Sequence, residues 1–119
     1  MRTPAVASVA LQDQATKLSV PLTVQDKISY WSVVYGVKKE LALCIAQKES
    51  NFKPMAKNKS SSAVGTYQIL RDTWTETVAR MDLSYTLEER YNEDKNIQVA
   101  TWLMGQNEYW RWVTYPKCL

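Results

Sequence analysis

The chain has 119 residues, 45% of them hydrophobic and 11% aromatic, which allows one domain with a modest core. It contains no histidine and two cysteines, so Ser-His and Cys-His nucleophilic schemes, imidazole-dependent zinc sites and four-cysteine metal centres are excluded. The net charge of +3 is uneven: Met1 to Arg71 carries ten Lys or Arg against four acids, and Asp72 onward five against eight, so an anionic polymer suits the first part.

Residues 1–20 are rich in Ala, Val, Ser and Thr without a sustained period. They are expected to form a flexible lead or docked arm rather than a signal peptide, although Ser8-Val9-Ala10 has the small residues of a cleavage site. No run approaches the roughly 18 apolar residues of a membrane span. Residues 21–119 are then the folded domain. Thr23-x-x-Asp26 reads as a capping box opening a first helix, in which Ile28, Trp31, Val34 and Tyr35 fall on one face and Gly36 closes. A second helix spans about Val37 to Lys48. Residues 51–62 are a loop by their Pro, Asn and Ser content, and a minimal β-hairpin or short extended segment is expected around 64–70. Thr73-x-x-Glu76 reads as the capping box of a third helix with Trp74, Val78 and Met81 inward. Thr86-x-x-Glu89 starts a short helical turn through Tyr91. The helix from about Glu93 to Met104 is apolar on most sides and is the expected central helix, closed by Gly105. The fold class is therefore mostly α.

One acid stands out. Leu41, Ile45 and Glu49 follow one another on a single helical stripe, and no further Asp or Glu occurs until Asp72. A carboxyl among aliphatic neighbours is harder to ionise, and the C-terminal end of a helix acts in the same direction, so Glu49 is suited to general acid work near neutral pH. The alternatives are a solvated terminal residue or an ion-pair partner for Lys48 or Lys53. Lys48, Lys53, Lys57, Lys59 and Arg71 would give it a basic rim. Cys44 and Cys118 are read either as a disulfide tying the tail to the Glu49 helix or as two separate thiols.

The pattern Glu49-Ser50-x-Phe52-x-Pro54-x-Ala56, then Ala63-x-Gly65-x-x-Gln68-Ile69, then Trp74, and later Asn96-Ile97, resembles the catalytic domain of the soluble lytic transglycosylases and their phage-borne relatives. These are similar in fold to goose-type lysozyme. The resemblance covers roughly residues 35–105 and implies a lysozyme-like helical domain acting on peptidoglycan glycan strands, as a monomer, without metal or cofactor and without nucleic acid. It implies Glu49 as the catalytic residue, and Ser50, Asn58, Ser60, Gly65, Tyr67, Gln68 and Tyr109 as residues at the substrate. The chain departs from the family at several points. Where the family has Gly-Ala-x-Gly-Leu-Met-Gln, Ser62 stands for the first Gly and Thr66-Tyr67 for Leu-Met. The family's loop serine has no clean counterpart among Asn58, Ser60 and Ser61. Its C-terminal Ala-x-Tyr-Asn segment is replaced by a stretch containing Tyr109, Trp110, Trp112 and Tyr115, and small phage-type members look similar in ending on such a tryptophan pair. Tyr109 or Tyr115 is a candidate to replace the family's tyrosine, Trp110 and Trp112 are read first as packing residues and otherwise as faces for a sugar ring, and Asn96 is expected to be structural.

The resemblance further implies cleavage of the β-1,4 MurNAc-GlcNAc bond with closure of the sugar's own C6 hydroxyl onto C1, leaving a 1,6-anhydromuramoyl end, and a single acid suits that route. Hydrolysis ordinarily needs a second carboxylate, which Asp72 or Asp94 would have to supply. A muramidase on the same fold and a non-catalytic wall-binding or nucleic-acid-binding module are the rival readings. The expected place of action is the bacterial wall, reached from a phage particle, through a lysis system or by secretion.

Overall fold

The structure is a computed structural model describing residues 22–119; the expected N-terminal lead and the cleavage-site question lie outside the described residues. Four α-helices occur among them: α1 (Val24–Tyr35), α2 (Lys39–Ser50), α3 (Arg71–Arg80) and α4 (Glu93–Gly105). Short 3-10 turns follow at Leu87–Tyr91, Tyr109–Arg111 and Tyr115–Cys118. The domain is mostly α, as expected. The only bridges among the described residues are isolated ones, Lys57 with Val64 and Val64 with Ile69, so the expected extended segment is one tight reversal of the chain.

Helix α4 is the hub. It packs on α1, α3 and the turn at Leu87–Tyr91, while α1 packs on α2 and α2 on the C-terminal turn. Every residue from Asn96 to Met104 except Trp102 is buried, which is what an all-round apolar helix requires. Asn92 caps α4 by accepting the Lys95 N–H at 2.9 Å. Ile28, Trp31, Ile45, Ile97 and Leu103 meet in the core with no exposed surface. Trp31 satisfies its indole N–H on Asp94 at 2.9 Å, so the carboxylate at the start of α4 is committed to the α1–α4 interface.

The capping boxes at Thr23–Asp26 and Thr86–Glu89 both form, and Gly36 closes α1 in the left-handed conformation at φ 68°. Two expected helix boundaries are corrected. Helix α3 begins at Arg71, not at a Thr73 cap, because the Ser62 hydroxyl accepts the Arg71 N–H at 2.9 Å from the preceding loop. A residue distant along the chain does the capping, which local sequence cannot reveal. Gly105 is the last residue of α4 rather than its left-handed cap. It is small for another reason: a Cβ there would meet the Tyr35 carbonyl oxygen at 2.7 Å, so it lets α4 approach the end of α1.

Cys44 and Cys118 form a disulfide, with Cα atoms 5.8 Å apart. It fastens the C-terminal turn to α2. Trp112 packs into the core and gives its indole N–H to the Tyr67 carbonyl at 2.8 Å. Its neighbour Trp110 does not pack as a pair with it: it is 69% exposed and lies under the Arg111 guanidinium, 4.6 Å from the ring centroid.

Candidate active site

Glu49 lies in the last turn of α2, half-buried. Its stripe neighbour Ile45 is wholly buried, so the carboxyl rises from the core to the surface where the helix ends. Burial raises its pKa above the usual carboxylate range, and the hydrogen bond from Thr114 acts in the opposite direction. Thr114 donates its hydroxyl to Glu49 Oε2 at 2.7 Å. Among the described residues no ion pair reaches Glu49, and Lys48 and Lys53 stand exposed. Glu49 is therefore partly open to solvent, and no lysine among the described residues neutralises it.

The backbone around it is unusual. Asn51 and Phe52 follow in succession at φ 54° and 63°, and Gln68 sits at φ 51°. Left-handed conformation is tolerated by Asn but costly for Phe. Such outliers persist where the surroundings over-determine them, and they cluster at functional sites. Here the two successive left-handed residues end α2 directly after Ser50.

The structure divides the expected substrate residues into two groups. Ser50 is a tie: its hydroxyl donates to the Thr66 carbonyl at 2.7 Å and accepts the Lys53 N–H at 3.2 Å. Gly65 is buried at φ 87°, and a Cβ would meet the Arg90 carbonyl oxygen at 2.9 Å and collide with the Asn96 amide. Glycine here allows the close backbone approach to Arg90 and Asn96. Tyr67 is corrected: it has no exposed surface, and its phenol donates to the Ala42 carbonyl at 2.7 Å. The ring is a core residue bracing the segment 64–70 against α2.

Asn96 holds that segment from the other side. It accepts the Tyr67 N–H at 3.0 Å and donates to the carbonyls of Arg90 at 2.9 Å and Val64 at 3.3 Å, so the expected structural role is what the bonds describe. Arg90, buried beside it, donates to the carbonyls of Ser62 at 2.6 Å and Ile69 at 3.1 Å. Sequence reasoning passed over this arginine because a charged residue in a surface turn carries no mark of burial.

The second group stays open to solvent. Gln68 is half-buried and spends its amide N–H groups on the carbonyls of Gly65 at 3.0 Å and Ala56 at 3.1 Å. It makes no hydrogen bond to Glu49; among the described residues its Oε1 accepts none. Asn58 and Ser60 are exposed, joined by a turn in which Asn58 Oδ1 accepts the Ser60 N–H at 2.7 Å. Tyr109 stacks on Tyr115 with ring centroids 4.8 Å apart, and burial, then Tyr115, raises its pKa. Tyr115 directly follows Thr114 in the chain. A notch of about 30 Å³ bounded by Gln68, Leu70, Arg111 and Trp112 is far below the roughly 300 Å³ of an enclosed ligand pocket.

Of the other acids, Glu108 and Asp94 are held by partners and Asp72 is exposed. Glu108 is clamped by Arg80 at 2.6 Å and Arg111 at 2.8 Å, and the Arg80 hydrogen bond leads in pulling its pKa down to about 2. Asp72 is exposed next to Arg71, and Asp94 holds Trp31. No group of three or more His, Cys, Asp or Glu side chains suited to a metal occurs among the described residues. No helix among them is long and apolar enough to cross a membrane.

Compared with curated proteins, the chain matches none. The family model described as the transglycosylase SLT domain matches residues 26–111, a span that takes in α1 from Asp26 onward and the whole of α2 to α4, with Glu49, Gln68 and Asn96. With that span matched over well more than half of its length, the chain belongs to the transglycosylase SLT domain family, as a lytic transglycosylase catalytic domain whose substrate is peptidoglycan.

Proposed function

We propose that this domain cleaves the β-1,4 bond between MurNAc and GlcNAc with Glu49 as its single acid and base, and releases 1,6-anhydromuramoyl ends. The observation that carries the reading is the isolation of Glu49: a half-buried carboxyl, raised in pKa by burial, with Asp72, Asp94 and Glu108 committed or exposed elsewhere. In the first step the Glu49 proton passes to the bridging oxygen as the C1–O bond breaks, and positive charge develops at C1. In the second step the Glu49 carboxylate removes the proton of the C6 hydroxyl as that oxygen bonds to C1. The acid is regenerated and no water is consumed. A carboxyl of raised pKa keeps its proton more readily for the first step, and the carboxylate it leaves is the stronger base for the second. Hydrolysis would call for a second carboxylate within about 5–9.5 Å of the first to act as nucleophile or to activate water.

Around the acid, Gln68 Oε1, the Tyr109 ring, Asn58 and Ser60 are the groups of the expected set still open to a glycan. The exposed cations Lys48, Lys53, Lys57, Lys59 and Arg71 suit the anionic wall. The Cys44–Cys118 disulfide fits work outside a reducing cytoplasm, and the bacterial wall is the place of action. Mass spectrometry of purified sacculi after digestion tests the reaction: products lighter by one water than reducing muropeptides support it, and reducing ends throughout would make the enzyme a muramidase. Glu49→Gln is expected to lose nearly all turnover. Retained turnover would remove Glu49 from the chemistry.

A further inference from the structure

Thr114 lies outside the family match at 26–111, and no sequence motif points to it. Yet it is the group whose hydrogen bond reaches Glu49, from a residue 65 positions away. Three features hold it there. The turn Tyr115–Cys118 packs on α2. The disulfide joins that turn to Cys44 of α2. Trp112, two residues before Thr114, is anchored in the core through its bond to the Tyr67 carbonyl. A threonine placed between two such anchors has little freedom to leave the carboxyl.

We propose that Thr114 is a positioning residue for the acid: by holding Oε2, it turns Oε1 toward the glycosidic oxygen as the atom that gives and regains the proton. The inference rests on Glu49 being the acid and adds to it which oxygen reacts and what sets the carboxyl's orientation. Among the described residues Oε1 has no hydrogen-bond partner, so it is the oxygen left for substrate. The same bond serves the carboxylate produced in the first step, because a hydroxyl donating to an ionised acceptor is stronger than one donating to a neutral acceptor. The Cys44–Cys118 bond then has a part in catalysis as well as in stability, since it keeps the Thr114 segment on α2.

The test compares Thr114→Val and Thr114→Ser with the parent in the full oxidised chain, measuring kcat and KM on purified glycan strands. Thr114→Val keeps the shape and removes the donor; kcat is expected to fall about 10- to 100-fold, the worth of a hydrogen bond to a charged group, with KM within about twofold. Thr114→Ser restores the donor and is expected to recover kcat to within about threefold of the parent. A Thr114→Val enzyme with kcat within twofold of the parent would overturn the proposal, as would a Thr114→Ser enzyme as slow as Thr114→Val. Because folding could intervene, the thermal midpoint is read alongside: a kcat loss that tracks a fallen midpoint, and returns on cooling, also overturns it. Glu49→Gln in the same series separates the two levels. If it stays active, the acid assignment fails; if it is inactive while Thr114→Val is normal, only the positioning role does.

Discussion

Removing the disulfide is the perturbation whose size follows most directly from the structure. Cys44 and Cys118 are 74 residues apart in sequence, so the bond closes most of the domain into one loop. The chain-entropy relation for a loop of this length gives about 4.5 kcal/mol of stabilisation through the unfolded state. A domain of this size ordinarily holds about 5–15 kcal/mol in total, so the double variant Cys44→Ser, Cys118→Ser should remain folded at low temperature but close to its limit. At about 4–8 °C per kcal/mol for a domain under 100 residues, its thermal midpoint should fall by about 20 °C or more. The assay is chemical denaturation followed by tryptophan fluorescence, with and without reductant. Reductant should lower the parent's midpoint to that of the double variant and leave the double variant unmoved. Refutation would be a loss below about 1 kcal/mol: the unfolded chain would then gain little freedom from opening the loop, contrary to the entropy argument. The slope of free energy against denaturant reports on the same point, since opening the loop should expose more surface on unfolding and raise it.

Other outcomes follow from single contacts. Glu49 has its folded pKa raised by burial, so at neutral pH the ionised group weakens the fold. Glu49→Gln should therefore melt higher than the parent at pH 7, and the gap should close as pH falls through the raised folded value and be gone below the ordinary glutamate value near about 4.3; melting curves across pH 3–8 read it. Glu108 has the opposite sign: its pKa is held down to about 2 by Arg80 first and then Arg111. The stability that Glu108 contributes is present above its unfolded value and lost as pH falls toward 2, so Glu108→Gln should lower the midpoint at pH 6 and matter little at pH 2. Asn96→Ala should cost about 2–4 kcal/mol in denaturation, because it strands the Tyr67 N–H and the Arg90 and Val64 carbonyls in the interior. Gly65→Ala should cost about 3 kcal/mol or abolish expression, since it combines a left-handed conformation with a Cβ 2.9 Å from the Arg90 carbonyl oxygen.

Local order was legible in the residues alone. Helix α1, its capping box and its glycine stop, the burial of α4 and the placing of Glu49 in the last turn of α2 all follow from periodicity and capping, which are set within a few residues of one another. The end of α2 at Asn51 was legible as well, because Pro54 and the turn formers leave the helix nowhere to go. The start of α3 was not, since Ser62 caps it from across a loop. Nor was the burial of Tyr67, a residue type that serves equally as core and as sugar platform; only the Ala42 carbonyl, presented by a different helix, decides between them.

The sequence by itself determined which carboxyl is alone, which helices exist and which family the motif belongs to, because these depend on residue identity and short spacing. Tertiary structure decided what surrounds that carboxyl. Thr114, Tyr109, Tyr115, Cys118 and Trp112 reach α2 and the 64–70 segment from the far end of the chain, and their arrival depends on a packed core and a disulfide that no local spacing encodes.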